Sequence, residues 1–210
     1  MRTKTVRLAL VAALALGLFA TGGAALATQP LTAFVALRGE ETGFSPQGRP
    51  TVYSKLHDLL VHGFSDTPAQ LKVDAPRLRR EGFVAGAIEH TSYNAAPSRG
   101  AGASDVLELG SAAAARREQA AVVQQLVVSQ RTPVPGQPKL VTHRFTVPGV
   151  PSAEGITGTP TGLAGGQANA FFIEGRCMLF VGDSLASGNT TQPVTSAVES
   201  IYKRTRGRCP

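Results

Sequence analysis

Ser184 has the surroundings of a nucleophile. Gly182 and Asp183 precede it, and Gly188 and Asn189 lie just beyond. A serine hydroxyl attacks only when a base takes its proton and a third group holds that base in place. No histidine follows Ser184. A base would have to come from upstream, from His57, His62, His90 or His143. His57 and its neighbour Asp58 point about 100° apart on a helix, a poor setting for a direct hydrogen bond. Glu89 and His90 fall on opposite faces of a strand. His143 alternates with apolar residues and reads as part of a half-buried strand. The histidines make no cluster with metal-ligand spacing.

The block Val181 to Asn189 resembles the nucleophile segment of the GDSL esterases and lipases. That resemblance implies Ser184 as nucleophile and Gly182 as part of an oxyanion hole. The family's Asp-x-x-His pair, which follows its serine, is missing here, as is its Gly-x-Asn-Asp block. The match spans four residues, and Gly182-Asp183 also suits the end of a strand opening a turn. A serine ester hydrolase using Ser184 is therefore the alternative reading, and a domain without catalytic residues the preferred one.

Cys177 and Cys209 are the only two cysteines. In an exported chain two cysteines predict one disulfide. It would tie a C-terminal helix back onto a strand, and the chain-entropy model gives about 3–4 kcal/mol for such a loop. The export signal lies at the start. Arg2, Lys4 and Arg7 precede an apolar run from Leu8 to Ala20, then Gly22-Gly23 and the small-residue site Ala25-Leu26-Ala27. This order predicts a signal peptide over 1–27 and an extracytoplasmic domain. Retained, the same segment is long enough to be an N-terminal membrane anchor.

The whole chain has a formal net charge of +7, and three of those charges belong to the signal. The remaining cations gather as Arg77, Arg79 and Arg80, and as Lys203, Arg204, Arg206 and Arg208. They are candidates for an anionic partner such as cell-wall polymer, or for solvated helix faces. Tryptophan is absent and aromatics are 6%, so base-stacking platforms and nucleic-acid partners are not expected. No cofactor and no metal is implied.

Periodicity then supplies the elements. Residues 28–50 read as an irregular lead-in, and 51–210 as one domain. Thr51 to Phe64 reads as a helix with Val52, Leu56, Leu59 and Leu60 on one face. Pro76 to Arg80 reads as a single helical turn opened by Pro76. Gly82 to Tyr93 and Ser104 to Leu109 read as strands around a loop from Asn94 to Gly102. Ala112 to Gln130 is a helix with Ser111 as N-cap. Its apolar face carries Val123, Leu126 and Val127, and its polar face Arg116, Arg117, Glu118 and Gln124. Leu140 to Val147 is a strand burying Val141, His143, Phe145 and Val147. Pro148 to Gly166 reads as a long loop. A hairpin turns at Glu174-Gly175, and Val194 to Thr205 is a last helix.

Strands follow one another without alternating helices. The class is therefore α+β: an antiparallel sheet of about five strands with two or three helices. Phe145 to Pro151, Ala168 to Arg176 and the Leu179 to Gly182 strand together resemble a group of exported actinobacterial proteins. Related extracytoplasmic domains of that group have PsbP-like α+β folds. The resemblance implies such a fold, with binding or sensing at the cell envelope. The expected function is binding a ligand or another envelope protein, with the loops Asn94 to Gly102 and Pro148 to Gly166 as candidate surfaces. A basic wall-associated structural protein is the third reading, and salt-dependent release would mark it.

Overall fold

The computed structural model describes residues 29–93, 98–132, 140–162, 164–206 and 208–209. The signal peptide expected over 1–27 lies outside them. The elements in chain order are β1 (Phe44–Pro46), β2 (Thr51–Tyr53), α1 (Leu56–Asp58), α2 (Pro68–Arg80), β3 (Ala85–Tyr93), β4 (Gly100–Glu108), α3 (Ala112–Arg131), β5 (Leu140–Phe145), β6 (Glu154–Pro160), β7 (Gly166–Glu174), β8 (Cys177–Leu185) and α4 (Thr191–Thr205). A π-helical turn, Leu59–Gly63, extends α1, and a 3-10 turn, Leu31–Phe34, precedes β1.

The class is α+β as expected, but the sheet has eight strands rather than about five. Its order is β1-β3-β4-β8-β7-β6-β5, with β2 also paired to β3, and every pairing is antiparallel. The extra strands are those that periodicity shows least. β1 and β2 have three residues each, too few for alternation to register. β6 lies inside the Pro/Gly-rich stretch read as a loop, and Ile156 is its only large apolar residue. The neighbours β5 and β7 supply the ladder that its own composition does not advertise.

α4 and the 3-10 turn cover one face of the sheet. Phe34, Val35, Phe172, Leu179, Val194, Val198 and Ile201 form its core. The lead-in is thus not loose: Phe34 and Val35 are fully buried. Arg204 fixes it from α4, donating to Glu40 at 2.7–2.8 Å and to the carbonyls of Ala33 and Val35. The disulfide joins Cys177 to Cys209 as expected, with Cα atoms 6.0 Å apart. It anchors the end of α4 to the start of β8.

α2, α3 and the π turn cover the other face. The helix read over Thr51 to Phe64 is half strand: β2 pairs with β3, and Val52 is exposed. Leu59 and Leu60 still point into the core. The turn read at Pro76 is the last part of a longer helix. Its start carries a complete capping box, Thr67 with Gln70, and Pro68 at the first position. Pro76 stands inside α2, against the rule that proline breaks helices. α3 matches expectation, with the Ser111 hydroxyl accepting from the Ala114 amide. The exception is Glu118, which is buried at 1% exposure rather than solvated.

Two registers differ. On β5, Val141 and His143 are exposed, not buried, because β5 is the outer strand; on that face Phe145 and, just past the strand, Val147 reach the core as expected. The hairpin pairs Glu174 with Cys177, so its two turn residues are Gly175 and Arg176. Gly175 takes the left-handed φ of 55° that such turns require.

Candidate functional site

The face covered by α2 and α3 carries two separate apolar clusters. One joins Leu59, Leu60, Leu78, Ile88, Leu107 and Met178. The other joins Val123, Ile156 and Phe171, with Leu126 and Phe180 packed against it. Each such side chain contributes about 1.5–3 kcal/mol on burial. Between the clusters α2 and α3 do not close on the sheet. A cavity of about 390 Å³ remains, floored by β4, β8 and β7, at the small end of the 300–1,000 Å³ typical of small-molecule sites, as roughly surveyed.

Its walls are mostly apolar, with polar groups set into them. Asp105 alternates with Val106 along β4 and so faces the cavity. It stands between Ile88 of β3 and Phe180 of β8, where the pattern calls for a hydrophobe. It is 7% exposed and has no hydrogen-bond or ionic partner among the described residues. Burial alone pushes its carboxyl up to about 8. Phe180 and Phe171 lie beside it with ring centroids 5.0 Å apart. Asn169 leans over Gly182, whose missing Cβ leaves room for both the amide and the Phe180 ring. The Asn169 Nδ2 is buried without a partner.

At the helix side, Arg77 of α2 lies 2.8 Å from Asp74 and 3.0 Å from Glu118 of α3. It also donates to Gln125 at 3.1 Å. Burial raises the Glu118 carboxyl, and Arg77 opposes that rise. The buried Glu118 thus ties the two cavity-lining helices together through Arg77.

A second acidic group lies on the opposite face. Asp183 and Glu41 are both buried and within hydrogen-bond reach of one another. The Thr91 hydroxyl donates to Glu41 at 3.1 Å. Two carboxylates cannot donate to each other, so one must hold a proton. The pair shares that proton, and Asp183 is the member pushed up further, to about 10, first by burial and then by Glu41. Glu41 is raised as well, chiefly by burial. Gly102 is the floor of this pair. A Cβ there would overlap Asp183 Oδ1 and lie 2.6 Å from Thr91 Oγ1.

The nucleophile block therefore lies elsewhere than expected. Gly182 and Asp183 do not end a strand or open a turn; β8 runs on to Leu185. The block Gly182 to Leu185 is the final part of β8, paired on both sides with β4 and β7. The Asp183 side chain enters the opposite core, and Ser184 is exposed. His90 shares the Ser184 face but stands two strands across and two residues along, roughly 12 Å by sheet spacings. His57, His62 and His143 are exposed, and among the described residues no hydrogen bond joins any of them to Ser184. Among the described residues the geometry assembles no triad around Ser184.

The basic residues divide. Arg77 and Arg204 are committed to internal ion pairs. Arg79 and Arg80 remain exposed at the end of α2, with Arg80 4.0 Å from Glu81. Lys203 and Arg208 are exposed, and Arg206 sits 5.7 Å from the Tyr202 ring centre. Of the candidate loops, residues 94–97 lie outside the described ones and Gly100 to Gly102 begin β4. The sequence reading missed Asp105, Asn169 and the Asp183–Glu41 pair. The signal available was an acid inside an otherwise apolar strand, Asp105-Val106-Leu107.

No family model and no curated protein matches the chain. Among solved structures the fold is similar to the extracellular domain of PknH from Mycobacterium tuberculosis. The TM-score is 0.51 at 15% identity, over 84% of this chain and 99% of that one. No helix among the described residues is long and apolar enough to cross a membrane.

Proposed function

We propose that this is an exported, non-catalytic binding domain whose ligand site is the cleft between α2, α3 and the sheet. The observation that carries the reading is an apolar cavity with a buried, unpartnered carboxyl in its floor. A fold that only needed a core would fill that position with a hydrophobe. The disulfide supports an oxidising compartment outside the cytoplasm, and the likeness to an extracellular domain agrees with it. The cleft replaces the two long loops as the preferred binding surface.

The test is binding of an apolar fluorescent dye, such as N-phenyl-1-naphthylamine, to the purified protein. The dye should bind and brighten, and Leu126→Trp, which fills the cavity, should abolish that without lowering thermal stability. Equal dye binding by the filled variant would move the site away from the cleft.

A further inference from the structure

We infer that the cleft takes an organic cation with an apolar body, held by Asp105 as its counter-ion. The inference rests on the cleft being a ligand site. Four charged or titratable groups line the cavity: Asp105 from β4, Asp74 and Arg77 from α2, and Glu118 from α3. β7 and β8 face Asp105 with Asn169, Phe171 and Phe180, and β3 with Ile88, none of them titratable. Three acids thus stand against one cation.

That one cation is already occupied by both Asp74 and Glu118 and by Gln125. An anionic ligand would have to break those contacts, and the donors left to it would be neutral side-chain amides such as Asn169. A cationic ligand meets an acceptor that nothing else uses. Phe180, directly opposite Asp105 in the register, offers an aromatic surface that also favours a cation. The apolar walls then receive the rest of the molecule.

Burial keeps a proton on Asp105 up to about pH 8. A cation that pairs with the carboxylate must expel that proton. Its affinity therefore rises with pH, by about tenfold per unit below pH 8, and levels off above. A neutral ligand of the same shape shows no such rise.

The experiment compares decyltrimethylammonium, decanol and decanoate on the purified protein by calorimetry, each below its aggregation concentration. Expected are at least about tenfold tighter binding of the ammonium than of decanol at pH 8, and the pH slope. Asp105→Asn should remove both. Should that variant fail to fold, the wild-type pH series with the permanently charged ammonium decides, since the ligand itself does not titrate. Equal affinity for ammonium and decanol, or a preference for decanoate, overturns the cation inference and leaves the cleft standing. If none of the three binds, the cleft reading falls and this inference with it.

Discussion

The Asp183–Glu41 pair makes folding favour acid. In the fold the Asp183 carboxyl keeps its proton up to about 10, against 3.8 in its ordinary state. Between those values the unfolded chain has released a proton that the folded chain still holds. A raised folded value means stability present below the unfolded pKa and lost as pH rises towards the folded one. The loss is about 1.4 kcal/mol per pH unit for one proton. From pH 4 to pH 7 that sets a ceiling of about 4 kcal/mol, and relaxation around the pair brings the expected value to roughly 1–3 kcal/mol. Asp183→Asn keeps a donor facing Glu41 and has no proton to release. Urea unfolding at several pH values should find the variant near wild type in acid and roughly 1–3 kcal/mol more stable at pH 8. Its pH slope should fall by up to one proton. Some slope remains, because burial also raises Glu41, Asp66, Glu89, Asp105 and Glu118. A variant less stable than wild type at pH 8, or an unchanged slope, would refute the shared proton.

Other substitutions test separate parts of the account. Gly102→Ala places a methyl group against the same pair, and should cost about 1–3 kcal/mol in denaturant unfolding; a neutral result would mean the carboxyls have room to move. Cys177→Ser with Cys209→Ser should cost about 3–4 kcal/mol by the same measurement, with α4 losing amide-exchange protection first. Ser184→Ala should leave stability within about 0.5 kcal/mol, and neither it nor the parent should label with a fluorophosphonate. Labelling that vanishes in the variant would restore the hydrolase reading.

The sequence announced what local chemistry determines and hid what the sheet imposes. α3 was legible because Ser111 caps it and its apolar spacing is regular, and the hairpin because glycine marks its turn. The disulfide followed from counting cysteines. β1, β2 and β6 were not legible, since their pairing partners rather than their own residues make them strands. The face of β5 was misread for the same reason: alternation shows two faces, and only the position at the sheet's outer edge decides which one is exposed. Ser184 drew attention as a local pattern, yet the strand pairing that surrounds it is set by residues far away in sequence. Asp105 and Glu118 sit at positions where their own elements read as strand core and solvated helix face. Their meaning depends on a cavity made by three elements, which no window of sequence contains.

The central claim is that the cleft is a ligand site, and an amide NMR titration of the purified protein with decyltrimethylammonium tests it most directly. Shifts should concentrate at Asp105, Asn169, Phe171 and Phe180 and at Leu126 on α3, while Glu41 and Ser184 stay still. Shifts confined to the exposed cations Arg79, Lys203 and Arg208, or to the loop after β5, would contradict it.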